Sequence, residues 1–111
     1  MTQTTGAKLV SIEVYDPPMC CATGVCGPEP DTELLAIRDA LLQLEHEFPD
    51  TVTVARYNLN NDGDKYAQNP EVLNRLREHG VDILPVTLVN GAPVKERSYP
   101  TLDELRVYAA R

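Results

Sequence analysis

The sequence predicts an α/β domain built on one four-stranded mixed sheet. Two observations carry that prediction. Strand-like and helix-like stretches follow one another in the order β-α-β-α-β-β-α. The last two strands are joined by Asn90-Gly91, the strongest short-range hairpin signal. Neither a repeat nor a linker divides the 111 residues, so residues 1–111 are expected to form a single domain.

Lys8 to Tyr15 is predicted as the first strand, because Leu9, Val10, Ile12, Val14 and Tyr15 are mostly β-branched or aromatic. Asp16-Pro17-Pro18 ends it, since proline cannot donate to a ladder. An irregular loop over residues 16–30 follows, broken by Gly24, Gly27, Pro28 and Pro30. A helix starts near Asp31, a suitable N-cap, and Leu34, Ile37, Leu41, Leu44 and Phe48 form one apolar stripe that Pro49 terminates. Thr51 to Tyr57 alternates and predicts a second strand with Val52 and Val54 on one side. Asn58 to Asp64 is polar and predicts a loop. Asn69-Pro70 is a cap with proline at the first helical position. Val72, Leu73 and Leu76 give that helix its apolar side, and Gly80 stops it. Ile83 to Val89 predicts the third strand, Val94 to Tyr99 its antiparallel return, and Thr101-Leu102-Asp103-Glu104 a capping box opening a last helix to about Ala110.

One βαβ unit followed by ββα is the thioredoxin-like plan, with strand order 2-1-3-4. A right-handed crossover puts the first helix over one face. The loop after the first strand then lies at the carboxyl end of a central strand, where open α/β sheets place their sites. In proteins of this plan a proline opening the third strand is typically cis, and Pro85 holds that place.

Lys and Arg number 10 against 17 Asp and Glu, a net charge of −7. This argues against nucleic acid as the main partner, because phosphate binding is driven by clustered cations. The first six residues show no secretory pattern, and no stretch approaches the ~20 apolar residues of a membrane span. The expected compartment is the cytoplasm, where thiols stay reduced.

The chain's 3 cysteines, Cys20, Cys21 and Cys26, all fall within seven residues of that loop. An odd number cannot pair completely, and three is one short of a structural zinc or iron–sulfur set. Soft thiolates favour soft ions. Trivalent arsenic keeps a lone pair and takes three sulfurs in a pyramid without a fourth ligand. Arsenous acid exchanges its three hydroxyls for three thiols with release of three waters and no net proton. Arsenic(III) or antimony(III) is therefore the natural cargo, with Cys20, Cys21 and Cys26 as ligands and no permanent cofactor.

Rival chemistries fit less well. Asp16, Glu29 and Asp31 surround the thiols in sequence, with no Lys or Arg between Lys8 and Arg38. Such surroundings resist thiolate formation, which a redox catalyst needs. Cys26-Gly27-Pro28-Glu29 is similar to a C-G-P-C redox site but has Glu29 where the second thiol should stand, and the chain has no C-x-x-C. Thiol oxidoreductase remains the alternative. Zinc would need a fourth ligand, and His46 and His79 are not at ligand spacing from the cysteines. Asn58-x-Asn60-x-Asp62-Gly63-Asp64 is expected to be a solvated turn rather than a calcium loop. Arg75 and Arg77 are expected on an exposed helix face.

The run Val14-Tyr15-Asp16-Pro17-Pro18-Met19-Cys20-Cys21-Ala22-Thr23-Gly24-Val25-Cys26-Gly27 resembles the N-terminal signature of the ArsD family. The likeness continues through Tyr57-Asn58-Leu59, Asn69-Pro70-Glu71-Val72, Leu84-Pro85-Val86, Asn90-Gly91 and Tyr99-Pro100-Thr101. The resemblance implies a non-enzymatic cytosolic carrier on a thioredoxin-like fold. Such carriers bind arsenite or antimonite through three cysteines and pass it to the ArsA-type ATPase of an arsenite efflux pump. It also implies homodimers and, in some members, weak repression of the resistance operon through operator DNA. This chain lacks the paired C-terminal cysteines of some members, and Ser98 stands where the family often has Arg before Tyr-Pro.

Overall fold

Alternating apolar residues build the central strand and fix which helices cover each face. The computed structural model describes residues 10–17 and 32–110. The elements are β1 (Val10–Asp16), α1 (Thr32–Glu47), β2 (Val52–Asn58), α2 (Gly63–Gln68), α3 (Pro70–His79), a 3₁₀ turn (Gly80–Ile83), β3 (Val86–Val89), β4 (Ala92–Glu96) and α4 (Leu102–Ala109). The sheet order is β2-β1-β3-β4. β1 runs parallel to β2 and antiparallel to β3, and β4 returns antiparallel to β3. This is the predicted α/β architecture. Lys8, Leu9 and the Asp31 cap lie outside the described residues.

Val10, Ile12 and Val14 point to one face and pack with Ile37, Leu41 and Leu44 of α1 and Leu105 and Tyr108 of α4. Tyr15 points to the other face, where Tyr66 of α2, Val72 of α3, Ile83, Val86 and Leu88 form a second cluster. Each fully buried Leu or Ile contributes roughly 1.5–3 kcal/mol through removal from water, so the two clusters hold the sheet from both sides.

The local signals work as their chemistry requires. Asn69 Oδ1 accepts from the backbone N–H groups of Glu71 and Val72, and Pro70 opens α3. Thr101 and Glu104 satisfy each other's backbone in a complete capping box. Asn90 and Gly91 both adopt positive φ, at 52° and 84°, as a tight turn of right-handed strands demands. The Leu84–Pro85 bond is cis.

One helix and several boundaries differ from expectation, among them the start of β4, which is Ala92 rather than Val94. The predicted loop after β2 ends at Asp62, and residues 63–68 form α2. This helix escapes periodicity because it buries only Tyr66. Ile83 belongs to the 3₁₀ turn, so β3 begins at Val86. β4 ends at Glu96 rather than Tyr99. Arg97 has φ 69° and donates its N–H to the carbonyls of Ile83 and Pro85, at 3.0 and 2.9 Å. That left-handed residue breaks the extended run and frees Tyr99 to leave the sheet. Arg77 is exposed as expected, but Arg75 is committed to Glu71 and Glu96. Among the described residues no helix is long and apolar enough to cross a membrane.

Candidate functional site

The carboxyl end of β1 is where chemistry converges. β1 pairs with β2 through Asp16↔Asn58 and with β3 through Tyr15↔Val86. The register therefore brings the cis Pro85 beside the end of β1. Asp16 follows Val10, Ile12 and Val14 at period two, so its side chain lies on their apolar face. It is 0% exposed.

A carboxylate there needs partners, since an unpaired buried charge is costly. Arg56 of β2 supplies one, with Nε donating to Asp16 Oδ2 at 2.6 Å. Tyr99, in the segment before α4, donates its hydroxyl to Asp16 Oδ1 at 2.5 Å. The Arg56 guanidinium also lies 5.8 Å from the Tyr99 ring centre, a cation–π distance. On the opposite face, the Tyr66 hydroxyl sits between the main-chain carbonyl oxygens of Asp16 and Tyr57, at 2.5 and 2.8 Å. Arg56 Nη2 and the hydroxyl of Thr87 are buried with no hydrogen-bond partner among the described residues.

Burial raises the Asp16 carboxyl above its ordinary value, against the opposing pull of Tyr99 and Arg56. Burial likewise raises Tyr99, with Asp16 adding to it, and raises Tyr66. Tyr15 is pushed up to about 12, again chiefly by burial. These phenols stay neutral at physiological pH and act as donors. The end of β1 is thus anchored on both faces, its carboxylate neutralised by a cation from β2.

This changes the electrostatic picture drawn from sequence neighbours. Asp16 counted there as a free negative charge near the thiols. Arg56 reaches it from 40 residues away and pairs with it. A signal for this pair existed: Asp16 and Arg56 both fall at period two on the apolar sides of their strands, where a charge must find a partner. Tyr66 and Tyr99 carried no comparable signal.

Cys20, Cys21 and Cys26 lie outside the described residues. His46 and His79 are exposed, on α1 and α3 respectively. Among the described residues no group of three His, Cys, Asp or Glu side chains could hold a metal ion. The turn after β2 is closed by its own groups instead: Asp62 Oδ2 accepts from the Asn58 N–H and Asn58 Oδ1 from the Asn60 N–H. Tyr99 also borders a groove of ≈ 590 Å³ whose lining includes Ile37 and Ala40 of α1 and Leu102 and Arg106 of α4.

Known proteins share this architecture and sequence. A family model described as "Arsenical resistance operon protein ArsD" matches residues 9–110. A Halobacterium salinarum protein, named as a candidate arsenical resistance operon repressor ArsD, is 40% identical over 97 residues, covering 87% of this chain and 88% of its own. An Escherichia coli protein named arsenical resistance operon trans-acting repressor ArsD is 33% identical over 94 residues, covering 85% of this chain and 76% of its own. The crystal structure of an arsenical resistance operon trans-acting repressor from Bacteroides vulgatus superposes with a TM-score of 0.79 at 35% identity, covering 90% of this chain and 92% of that one. A Staphylococcus aureus protein of unknown function, at 18% identity and a TM-score of 0.53, shares the fold alone.

Proposed function

The chain belongs to the ArsD family of arsenical resistance operon proteins, and from that premise we propose that it is a carrier of trivalent arsenic or antimony. Cys20, Cys21 and Cys26 are the ligands, and the recipient is the ArsA-type ATPase of an arsenite efflux pump. The observation that carries this reading is the placement of all three thiols within ten residues after Asp16, on the segment leaving the buried end of β1. The chain has no C-x-x-C, the spaced pair that the oxidoreductases on similar sheets use, so the reading is a carrier and not an enzyme, with the reducing cytoplasm as its compartment.

Capture needs no acid or base beyond the reactants. Each As–OH bond is replaced by an As–S bond, and the thiol proton leaves with the hydroxyl as water. Hand-over exchanges sulfur for sulfur: as each recipient thiol forms its As–S bond, one As–S bond to the carrier breaks and the recipient's thiol proton passes to the released carrier sulfur, while the others hold the metalloid. The test is X-ray absorption of the arsenite-loaded protein. Three sulfurs and no oxygen around arsenic are expected, and fewer than three sulfurs overturns the reading.

A second role follows from what the relatives are called. Two of them are named trans-acting repressors of an arsenical resistance operon, so we propose operator binding by this chain as an accompanying, weak activity. A fragment of its own operon promoter should be retarded by the protein and released by arsenite. Retention of the fragment in the presence of arsenite, or no retardation at all, rejects this role and leaves the carrier reading untouched.

A further inference from the structure

We propose that β2 is an interface edge, along which a second copy of this chain pairs antiparallel and joins two four-stranded sheets into one. The inference is independent of the cargo that the thiols take. It goes beyond the homodimer that the resemblance implies, because it assigns the surface and its symmetry.

The two edges of the sheet are built differently. β4 is blunted: Pro93 has no N–H, the register shifts between Thr87 and Leu88, and Lys95 and Glu96 add charge. β2 reads Val52-Thr53-Val54-Ala55-Arg56-Tyr57-Asn58, without proline or glycine, and its single charge is committed to Asp16. Such an unprotected edge is a template for a further strand.

The backbone sets where that strand lies. The Val10 N–H donates to the Thr51 carbonyl, and Val10 is in register with Val52. In a parallel pair the main-chain groups of Thr53, Ala55 and Tyr57 then face β1, and those of Val52, Val54, Arg56 and Asn58 face outward. Both ends of this outer row are already engaged. The Val52 N–H donates to the Phe48 carbonyl and the Asn58 N–H to Asp62 Oδ2, while the Asn58 carbonyl accepts from Asn61 and Asp62. The N–H and carbonyl groups of Val54 and Arg56 have no outward partner among the described residues. A two-fold axis at Ala55 pairs Val54 of each copy with Arg56 of the other, so all the open groups of both residues are met. It also sets alanine against alanine at the close, non-hydrogen-bonded position.

α1 supplies the side chains of the same surface. α4 lies toward β4, tied by Lys95–Glu104, and holds α1 through Arg106–Glu47. At about 100° per residue, Arg38, Leu42 and Glu45 fall on the flank of α1 opposite Glu47, toward β2. All three are exposed, Leu42 by 58%. Phe48 and Val52 meet at one end of the two elements. Ala55 stands roughly 10 Å along the strand from Val52, and Leu42 roughly 9 Å along the helix from Phe48. One axis therefore serves both. It runs the two α1 helices antiparallel, with Leu42 near its own copy and Arg38 of each chain facing Glu45 of the other, a pairing of opposite charges.

The test is sedimentation equilibrium of the full chain over a concentration series, with amide exchange read residue by residue. Two chains per particle are expected, with the Val54 and Arg56 amides protected in the dimer and exchanging freely on dilution. L42K should raise the dissociation constant at least about tenfold, since the axis doubles the lost apolar burial. R38E sets glutamate against glutamate and should weaken pairing; R38E/E45R restores opposite charges and should recover it. V107K alters an equally exposed apolar residue of α4, 64% exposed, and should change nothing. A monomer at every concentration overturns the proposal. So does a dimer that V107K breaks and L42K does not, or one whose Val54 and Arg56 amides stay open. Protection of those amides in the diluted monomer overturns it as well, because another segment of the same chain then covers the edge. Arsenite enters none of these readings, so every outcome leaves the carrier reading where it stood.

Discussion

Tyr66 reaches from α2 to the main-chain carbonyl of Asp16, 50 residues earlier, with its hydroxyl 2.5 Å from that oxygen. The same hydroxyl lies 2.8 Å from the carbonyl of Tyr57. One phenol therefore ties together the ends of two parallel strands. The Tyr66 ring is 1% exposed and packs edge-on against Tyr15, with ring centres 5.0 Å apart. Y66F keeps that packing and removes the single hydroxyl proton that the two carbonyls share. It is expected to cost about 1–2 kcal/mol, the penalty for leaving buried acceptors unmet, seen as a lower urea midpoint with an unchanged slope. An unaltered midpoint would mean that the ring alone holds the strands.

Two carboxylates should titrate in opposite directions. Burial keeps Asp16 above its ordinary 3.8 although Tyr99 and Arg56 pull it down. A carboxyl raised in the folded state favours folding when protonated, and that contribution fades as pH rises through its folded value. Glu47 is the reverse. The Arg106 guanidinium and the Gln43 amide hold it at about 2 against 4.5, so its contribution is present above pH 4.5 and lost as pH falls toward 2. Carboxyl-carbon NMR should place the Asp16 midpoint above 3.8 and the Glu47 midpoint near 2. Y99F should move Asp16 higher still, because the phenol is its largest lowering influence. An Asp16 midpoint below 3.8 would show that its partners outweigh its burial.

Thr87 offers the opposite case, a buried polar group that no described residue meets. It is 0% exposed in β3, opposite Val14 of β1 and Lys95 of β4, and its hydroxyl has no partner among the described residues. T87V replaces that hydroxyl by a methyl of nearly the same shape and keeps the β-branch. Removing an unmet buried hydroxyl should stabilise the chain by about 1 kcal/mol, read as a higher urea midpoint. A lower midpoint would mean that the hydroxyl is bonded.

The sheet order and most element boundaries were legible because the signals were local. Asn90-Gly91, the Asn69 cap and the Thr101–Glu104 box each act within a few residues, and each forms as its chemistry dictates. The stripe Leu34, Ile37, Leu41 and Leu44 is wholly buried. What was not legible depends on distant partners. α2 is a helix held by a single buried tyrosine, too little for periodicity to detect. The early end of β4 follows from Arg97, whose N–H finds two carbonyls from the turn and strand before it. The Asp16–Arg56–Tyr99 set joins residues 40 and 83 positions apart, and only the alternation of the strands hinted at its first pair. The thiols stood out in the sequence by number and spacing, and they lie outside the described residues.

The cysteines give the last prediction, because a three-armed chelate fails in a characteristic way. Each thiol after the first binds with the effective concentration of a tethered group, which is worth about 10²–10⁴-fold in affinity. C20S, C21S and C26S should therefore each lose arsenite affinity by at least about a hundredfold, while the fold is unaltered by circular dichroism. The losses should be similar at all three positions, since a pyramidal arsenic has no spare sulfur. A single indifferent position would reduce the site to two sulfurs and leave an oxygen on the metalloid. That result would shift the reading toward a dithiol, the arrangement that a redox protein uses. Isothermal titration of the three variants beside the unaltered chain decides the matter, with one arsenite per chain expected for the latter.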